Sequence, residues 1–262
     1  MRNIFSKTTI VAIATVIAFA TTSCSFHVTT DTTPKNIVEQ TLKVKPFENV
    51  VLKGSLNVIY AQGDSISVRV KGDENLMDKV EIFSDGKTIT ISNKGISFNR
   101  VDDFFRGLKD GFNGQHSIPV VYITSPDLIS VSVHGSGSFE AQETVDTDVM
   151  NLELRGSGDV TFGDLLCDDI NATLIGSGDV NVNNLEAIHT VLDLRGSGDV
   201  SIKQSNVEHT EATVLGSGDI SIHGEDCGSV RATVTGSGNI SLTGQFRDIK
   251  KDVRGSGDVI YE

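Results

Sequence analysis

Asp159, Asp179, Asp199, Asp219, Asn239 and Asp258 recur along the second half of the chain, each directly after a Gly-Ser-Gly. A fold that brings such carboxylates together faces a repulsion of roughly 1 kcal/mol per pair at about 5 Å, even in water. Calcium would relieve it, and so would arginine. Arg155, Arg195 and Arg254 immediately precede the motif, and Glu153, Asp193 and Asp252 stand two residues before them, on the same side of a strand. The intervening stretches Thr173-Leu174-Ile175, Thr213-Val214-Leu215 and Thr233-Val234-Thr235 are uncharged. A mutually compensated, solvated face accounts for this pattern better than a metal array. Each Asp is expected to accept backbone N–H bonds in a turn at its own corner, and no metal or other cofactor is expected.

Catalytic combinations are sparse. Polysaccharide-cleaving β-helices cluster carboxylates where the repeat breaks, whereas these acids follow the repeat. His189 and His209 share one column seven residues before a Gly-Ser-Gly, but two imidazoles make an incomplete zinc site. There is no Cys-x-x-Cys, metalloprotease motif or Ser/His/Asp set. The expectation is a non-enzyme, with a polysaccharide-acting lyase or hydrolase, or a purely structural envelope component, as the alternatives.

These residues are positioned by a repeat. Gly-Ser-Gly begins at Gly135, Gly156, Gly176, Gly196, Gly216, Gly236 and Gly255, a period near 20 that marks a solenoid rather than separate sites. An aspartate completes five of the seven, as in Gly156-Ser157-Gly158-Asp159. Two residues before each motif stand Val133, Leu154, Leu174, Leu194, Val214, Val234 and Val253; four after its first Gly stand Phe139, Val160, Val180, Val200, Ile220, Ile240 and Val259. Apolar alternation on both sides makes strands that point these columns inward. Each coil is then strand, Gly-Ser-Gly corner, strand and variable return, stacked ~4.8 Å from the next. A phosphate cradle would need a strand-to-helix context that is absent here.

Cys167 and Cys227 lie nine residues before their corners, in a column shared with Thr147, Ala187, Val207 and Phe246. Three coils separate them, roughly 14 Å, beyond the ~7 Å a disulfide spans, so both are expected to be buried free thiols. In the inward column four before the corner, Leu152, Ala172, Leu192, Ala212 and Ala232 are followed by Lys251. Either the 19-residue last coil shifts register and turns Lys251 outward, or the lysine guards the edge against pairing with another chain.

The N-terminal part differs in kind. Residues 1–23 combine Arg2 and Lys7, an apolar run from Ile10 to Ala20 and Thr21-Thr22-Ser23 before Cys24, a lipoprotein-type export signal with Cys24 as the lipidation site. Membrane attachment through that lipid is expected, with residues 24–44 as a tether. Residues 45–134 read as a β-rich N-terminal cap with a degenerate corner at Lys53-Gly54-Ser55, a tight hairpin at Asp85-Gly86 and a short helix in DENLMDKV. An irregular insertion at 96–117 carries Phe104, Phe105 and Phe112, the candidate partner surface. Residues 135–262 form the repeat body. The net charge of −13, more negative still once Arg2 and Lys7 are removed, argues against nucleic acid as a partner.

The run FENVVLKGSLNVIYAQGDSISVRVKGDENLMDKVEIFSDGKTITIS, followed by repeated GSGDV, resembles the putative auto-transporter adhesin, head GIN domain family of Bacteroidetes envelope lipoproteins, over about residues 46–260. The resemblance implies an all-β, right-handed parallel β-helix and an outer-membrane-associated envelope role, on the periplasmic or the surface side. It brings no established catalytic residues. An adhesin, or a module binding glycan or protein, is the function expected.

Overall fold

Gly-Ser-Gly corners turn the chain because the first glycine takes a backbone that L side chains avoid: Gly176 sits at φ +142. Its carbonyl then accepts two N–H groups from the next corner, Ser197 at 2.9 Å and Gly198 at 3.2 Å. Corners therefore lock to corners as well as strands to strands. The structure, a computed structural model, describes residues 36–94 and 118–262, and the insertion aromatics Phe104, Phe105 and Phe112, like Cys24 and the export signal, lie outside them.

The described chain begins with β1 (Ile37–Leu42), β2 (Asn49–Gly54), β3 (Asn57–Gln62) and β4 (Ser67–Asp73). A one-turn helix α1 (Glu74–Met77) follows, N-capped by Asp73, whose side chain accepts from the Asn75 N–H. The hairpin β5 (Val80–Ser84) and β6 (Thr88–Asn93) turns at Asp85-Gly86, where the Asp85 carboxylate accepts from the Lys87 and Thr88 N–H groups at 2.8 Å. Then come β7 (Val120–Ser125), β8 (Ser130–Gly135), β9 (Ser138–Ala141), β10 (Val145–Asp146), β11 (Val149–Gly156), β12 (Asp159–Leu166), β13 (Asp169–Gly176) and β14 (Asp179–Glu186). The series ends with β15 (His189–Gly196), β16 (Asp199–Ser205), β17 (His209–Gly216), β18 (Ile220–Gly236), β19 (Ile240–Gly255) and β20 (Val259–Tyr261), the two long strands running through their returns without a break.

Two parallel stacks result. One runs β6, β2, β8, β11, β13, β15, β17 and the second halves of β18 and β19. The other runs β7, β3, β9, β12, β14, β16, the first halves of β18 and β19, and β20. The molecule is an all-β solenoid of stacked parallel coils, and Lys35–Glu262 form one unit. The β2–β3 coil comes first in sequence but lies second in space, between β6–β7 and β8–β9. Its Lys53-Gly54-Ser55 turn is a corner, with Gly54 at φ +106 and its carbonyl accepting from Ser136 and Gly137 at 2.9 Å. On the other side of this corner a side chain takes the glycine carbonyl's role, since the Ser55 N–H donates to Asn93 Oδ1 at 3.0 Å.

Antiparallel strands finish this end. β5 pairs with β6, β4 with β7, and β1 with β4. Residues 37–42, expected within a flexible tether, are thus a strand, because β4 would otherwise leave a row of unpaired N–H and C=O groups. Arg69 of β4 forms an exposed ion pair across this edge to Glu39 at 2.9 Å.

Inside, large side chains face small ones. Phe139 stands opposite Val58 and Val160, while Phe162 and Tyr60 both stand opposite Ala141. The rings of Tyr60, Phe139 and Phe162 form a ladder with centroid spacings of 6.0 and 5.7 Å. The Tyr60 hydroxyl donates to the Ser125 carbonyl at 3.2 Å, and burial pushes its pKa up to about 12. Cys167 and Cys227 are both free. Cys227 is buried as expected, but Cys167 is only half-buried. Burial and the neighbouring Asp169 and Asp168 carboxylates push the Cys167 thiol up to about 12.

Candidate binding face

The Asp column serves the stacking of coils. Asp179 Oδ1 accepts the Asp199 N–H at 3.2 Å, Asp199 accepts that of Asp219 at 3.1 Å, Asp219 that of Asn239 at 2.7 Å, and Asn239 that of Asp258 at 3.1 Å. None of these side chains is bonded two residues on in its own corner; among the described residues Asp258 alone bonds locally, accepting from the adjacent Val259 N–H at 2.7 Å. The reason is geometric: one coil spacing places each carboxylate beside the next N–H, and Asp258 has no further coil above it among the described residues. Each of Asp179, Asp199 and Asp219 thus gives one carboxylate oxygen to a backbone donor of the next coil.

Asp159 shows what the column costs. Burial first, then the Asp179 charge, hold its pKa above the ordinary carboxylate value. A carboxyl group whose pKa is raised by folding favours the folded state most below its unfolded pKa, and that advantage is lost as pH rises through the folded value. Asn239 demonstrates that an amide fits the column, since its Oδ1 accepts and its Nδ2 donates to Asp219 at 3.0 Å. Asp159→Asn should therefore raise the melting temperature at pH 7 by about 2 °C, a modest value for a group only half removed from water. The gain should vanish near pH 3, and calcium or chelator should leave the wild-type melting curve unmoved. A calcium-dependent rise of many degrees would show that the column is a metal array.

The arginines are paired as their spacing predicts. Arg195 Nη2 lies 2.6 Å from Asp193, which holds the guanidinium pKa above its ordinary value; Arg254 lies 3.0 Å from Asp252, and Arg155 pairs with Glu153. These exposed pairs add little stability but neutralise the outer face of the β11–β19 stack.

The histidine column is longer than the sequence shows at first sight. His189 Nδ1 lies 2.8 Å from Asp169 Oδ1, the His189 and His209 rings stack at 5.7 Å with planes 8° apart, and His209 Nδ1 lies 2.8 Å from Ser229 Oγ. Each contact joins register partners on successive strands. The order Asp, His, His, Ser places no carboxylate on the imidazole that touches the serine, so the relay that activates a serine nucleophile is not assembled. Among the described residues no group of three or more His, Cys, Asp or Glu side chains could hold a metal ion. Beside this column runs an open groove of about 420 Å³, lined by His189, His209, Ser229 and Asp248 on one side and by Val191, Glu211, Arg231 and Lys250 on the other. Sequence reading found the two histidines but not the groove.

Coils stacked in parallel, with ion pairs along the outer face of the β11–β19 stack and an open groove on the same face, define a β-solenoid. The chain belongs to the family described as "Putative auto-transporter adhesin, head GIN domain", whose model matches residues 46–246. It is similar in fold to a crystal structure titled as a putative adhesin from Bacteroides fragilis, with 23% identity, coverage of 87% of this chain and 98% of that one, and a TM-score of 0.67. A putative adhesin from Parabacteroides distasonis is similar at 21% identity, with the same coverages and TM-score. A structure from the same species titled as a putative lipid binding protein matches at 22% identity, covering 87% of this chain and 97% of that one, with a TM-score of 0.60. No curated protein matches the chain.

Proposed function

We propose that this protein is an envelope-anchored, non-enzymatic adhesin that presents the outer face of its solenoid to a glycan or protein. The observation that carries the proposal is the way charge is arranged on the β11–β19 face: the arginines beside three corners are each paired with an acid two residues earlier, and, among the described residues, the serine–histidine contact on that face lacks the carboxylate that would make it reactive. Such a surface is built to be touched along its length rather than to transform what touches it. Family membership supports the reading, and the adhesin titles of similar folds agree with it. Cys24, at the end of an export signal, supplies the anchor to the outer membrane through acyl chains.

Two measurements test this. On a glycan array, soluble chain 25–262 should bind without depolymerising the same sugars; turnover would make it an enzyme. In cells, the full chain should incorporate a labelled fatty acid and Cys24→Ser should not; equal labelling of both would move the anchor elsewhere.

A further inference from the structure

On the outer face of the β11–β19 stack, Arg155, Arg195, Lys250 and Arg254 each have an acid two residues earlier, and each forms an ion pair with it. Arg231 breaks the pattern. Two residues before it stands Ser229, occupied by His209 at 2.8 Å. Its register partners are Glu211 on one side and Lys250 on the other. No side-chain hydrogen bond or ion pair engages either Arg231 or Glu211 among the described residues, although they are direct cross-strand neighbours. The one guanidinium on this face left without an acid therefore lies in the groove, next to a lysine whose own pair with Asp248 is long, at 3.7 Å.

We propose that this groove binds a carboxylate-bearing sugar, a uronic or sialic acid residue of an acidic glycan. This deepens the adhesin reading and rests on it. Arg231 offers the planar donor fork that matches a carboxylate, and Lys250 adds a second cation. Glu211 and the Ser229 hydroxyl supply acceptors for sugar hydroxyls. Val191, 39% exposed at the groove's other end, offers an apolar surface for the C–H face of a ring. A pyranose is about as long as the ~4.8 Å coil spacing, so successive sugars can follow successive coils. An acidic peptide fits less well: it would gain most by adding a strand to a sheet edge, whereas this groove lies on a sheet face whose backbone is already paired on both sides.

The test uses chain 25–262 with four probes: tetragalacturonic acid, its carboxyl-reduced neutral counterpart, sialyllactose and tetraglutamate. Binding is expected for one of the two acidic sugars, which identifies the source of the carboxylate. Arg231→Gln should weaken it about tenfold, as loss of a charge-assisted bidentate contact does. Arg195→Gln, which removes a compensated arginine from the same face, should leave affinity unchanged, and circular dichroism melting confirms that both variants are folded. Equal binding of the neutral counterpart, tighter binding of tetraglutamate, or acidic-sugar binding that survives Arg231→Gln overturns the groove proposal. Glycan binding that survives Arg231→Gln leaves the adhesin reading standing. Failure of all four probes overturns the groove alone if the array shows other ligands, and both readings if the array is blank.

Discussion

Gly178→Ala should break the solenoid in the middle. A Cβ on Gly178 would lie 1.9 Å from the Gly158 carbonyl oxygen, backbone in the coil beneath, and 3.0 Å from its carbon and nitrogen. No rotamer change can relieve a contact with backbone. The two coils would have to separate, and with them the register pairs from Val149↔Asp169 to Gly156↔Gly176 and from Asp159↔Asp179 to Leu166↔Glu186. The expected cost is about 3 kcal/mol or more, a fall in melting temperature of roughly 6–12 °C. Gly257→Ala makes the same test at the end of the stack, with its Cβ also 1.9 Å from a carbonyl oxygen, that of Gly238. In a solenoid each coil touches only its neighbours, so the last coil can lift away while the rest stays intact. Hydrogen exchange should therefore show lost protection over many coils for Gly178→Ala and only beyond about residue 250 for Gly257→Ala. Equal, local effects at both positions would mean that the corners do not hold the coils together.

The contrast between these glycines also explains what could be read from the sequence. A period near 20 with apolar columns is a strong signal because each column is enforced by the same packing in every coil; Leu154, Leu174 and Leu194 are all buried for one reason. The Asp85-Gly86 hairpin and the short helix in DENLMDKV were equally legible, since their bonds are local. What escaped depends on strands distant in sequence. β1 exists because β4 needs a partner, and nothing in Ile37–Leu42 alone announces that. The inversion of the first two coils in space follows from pairings of β2 with strands far along the chain. Gln204 is buried because β16 slips register between Val182 and Leu185, placing it opposite Leu185, where it donates to Thr210 at 2.8 Å. The groove escaped for a similar reason: the signal was a missing acid, Ser229 where the other basic residues have Glu or Asp, and an omission is visible only once the pairing rule has been seen to hold elsewhere.

Lys251→Leu should make the protein associate increasingly as concentration rises. Lys251 keeps its place in the inward column, opposite Ala232, and Gly255 remains opposite Gly236. The missing residue of the 19-residue coil is absorbed earlier, between Gly224 and Cys227, where the register shifts against Gly244 and Phe246. The lysine has therefore not turned outward through a slip; it stands at a core position in the last coil. There its ammonium reaches across the coil and donates to the Val259 carbonyl at 2.7 Å. Around it the last coil leaves core-type positions open, with Val253 39% exposed. A charge in the middle of such a surface makes stacking of a second molecule costly, since the ammonium would be buried without an acid partner. Leucine removes that barrier, enlarges the apolar patch beside Val253 and frees the Val259 carbonyl for another chain. The fold should survive, because among the described residues Lys251 supports no coil above it. Light scattering over a range of concentrations should show wild-type protein of constant mass and Lys251→Leu growing into longer stacks, while Lys251→Arg, which keeps the charge, holds the wild-type mass. A Leu variant that holds the wild-type mass at high concentration would remove the lysine from any role in guarding this edge.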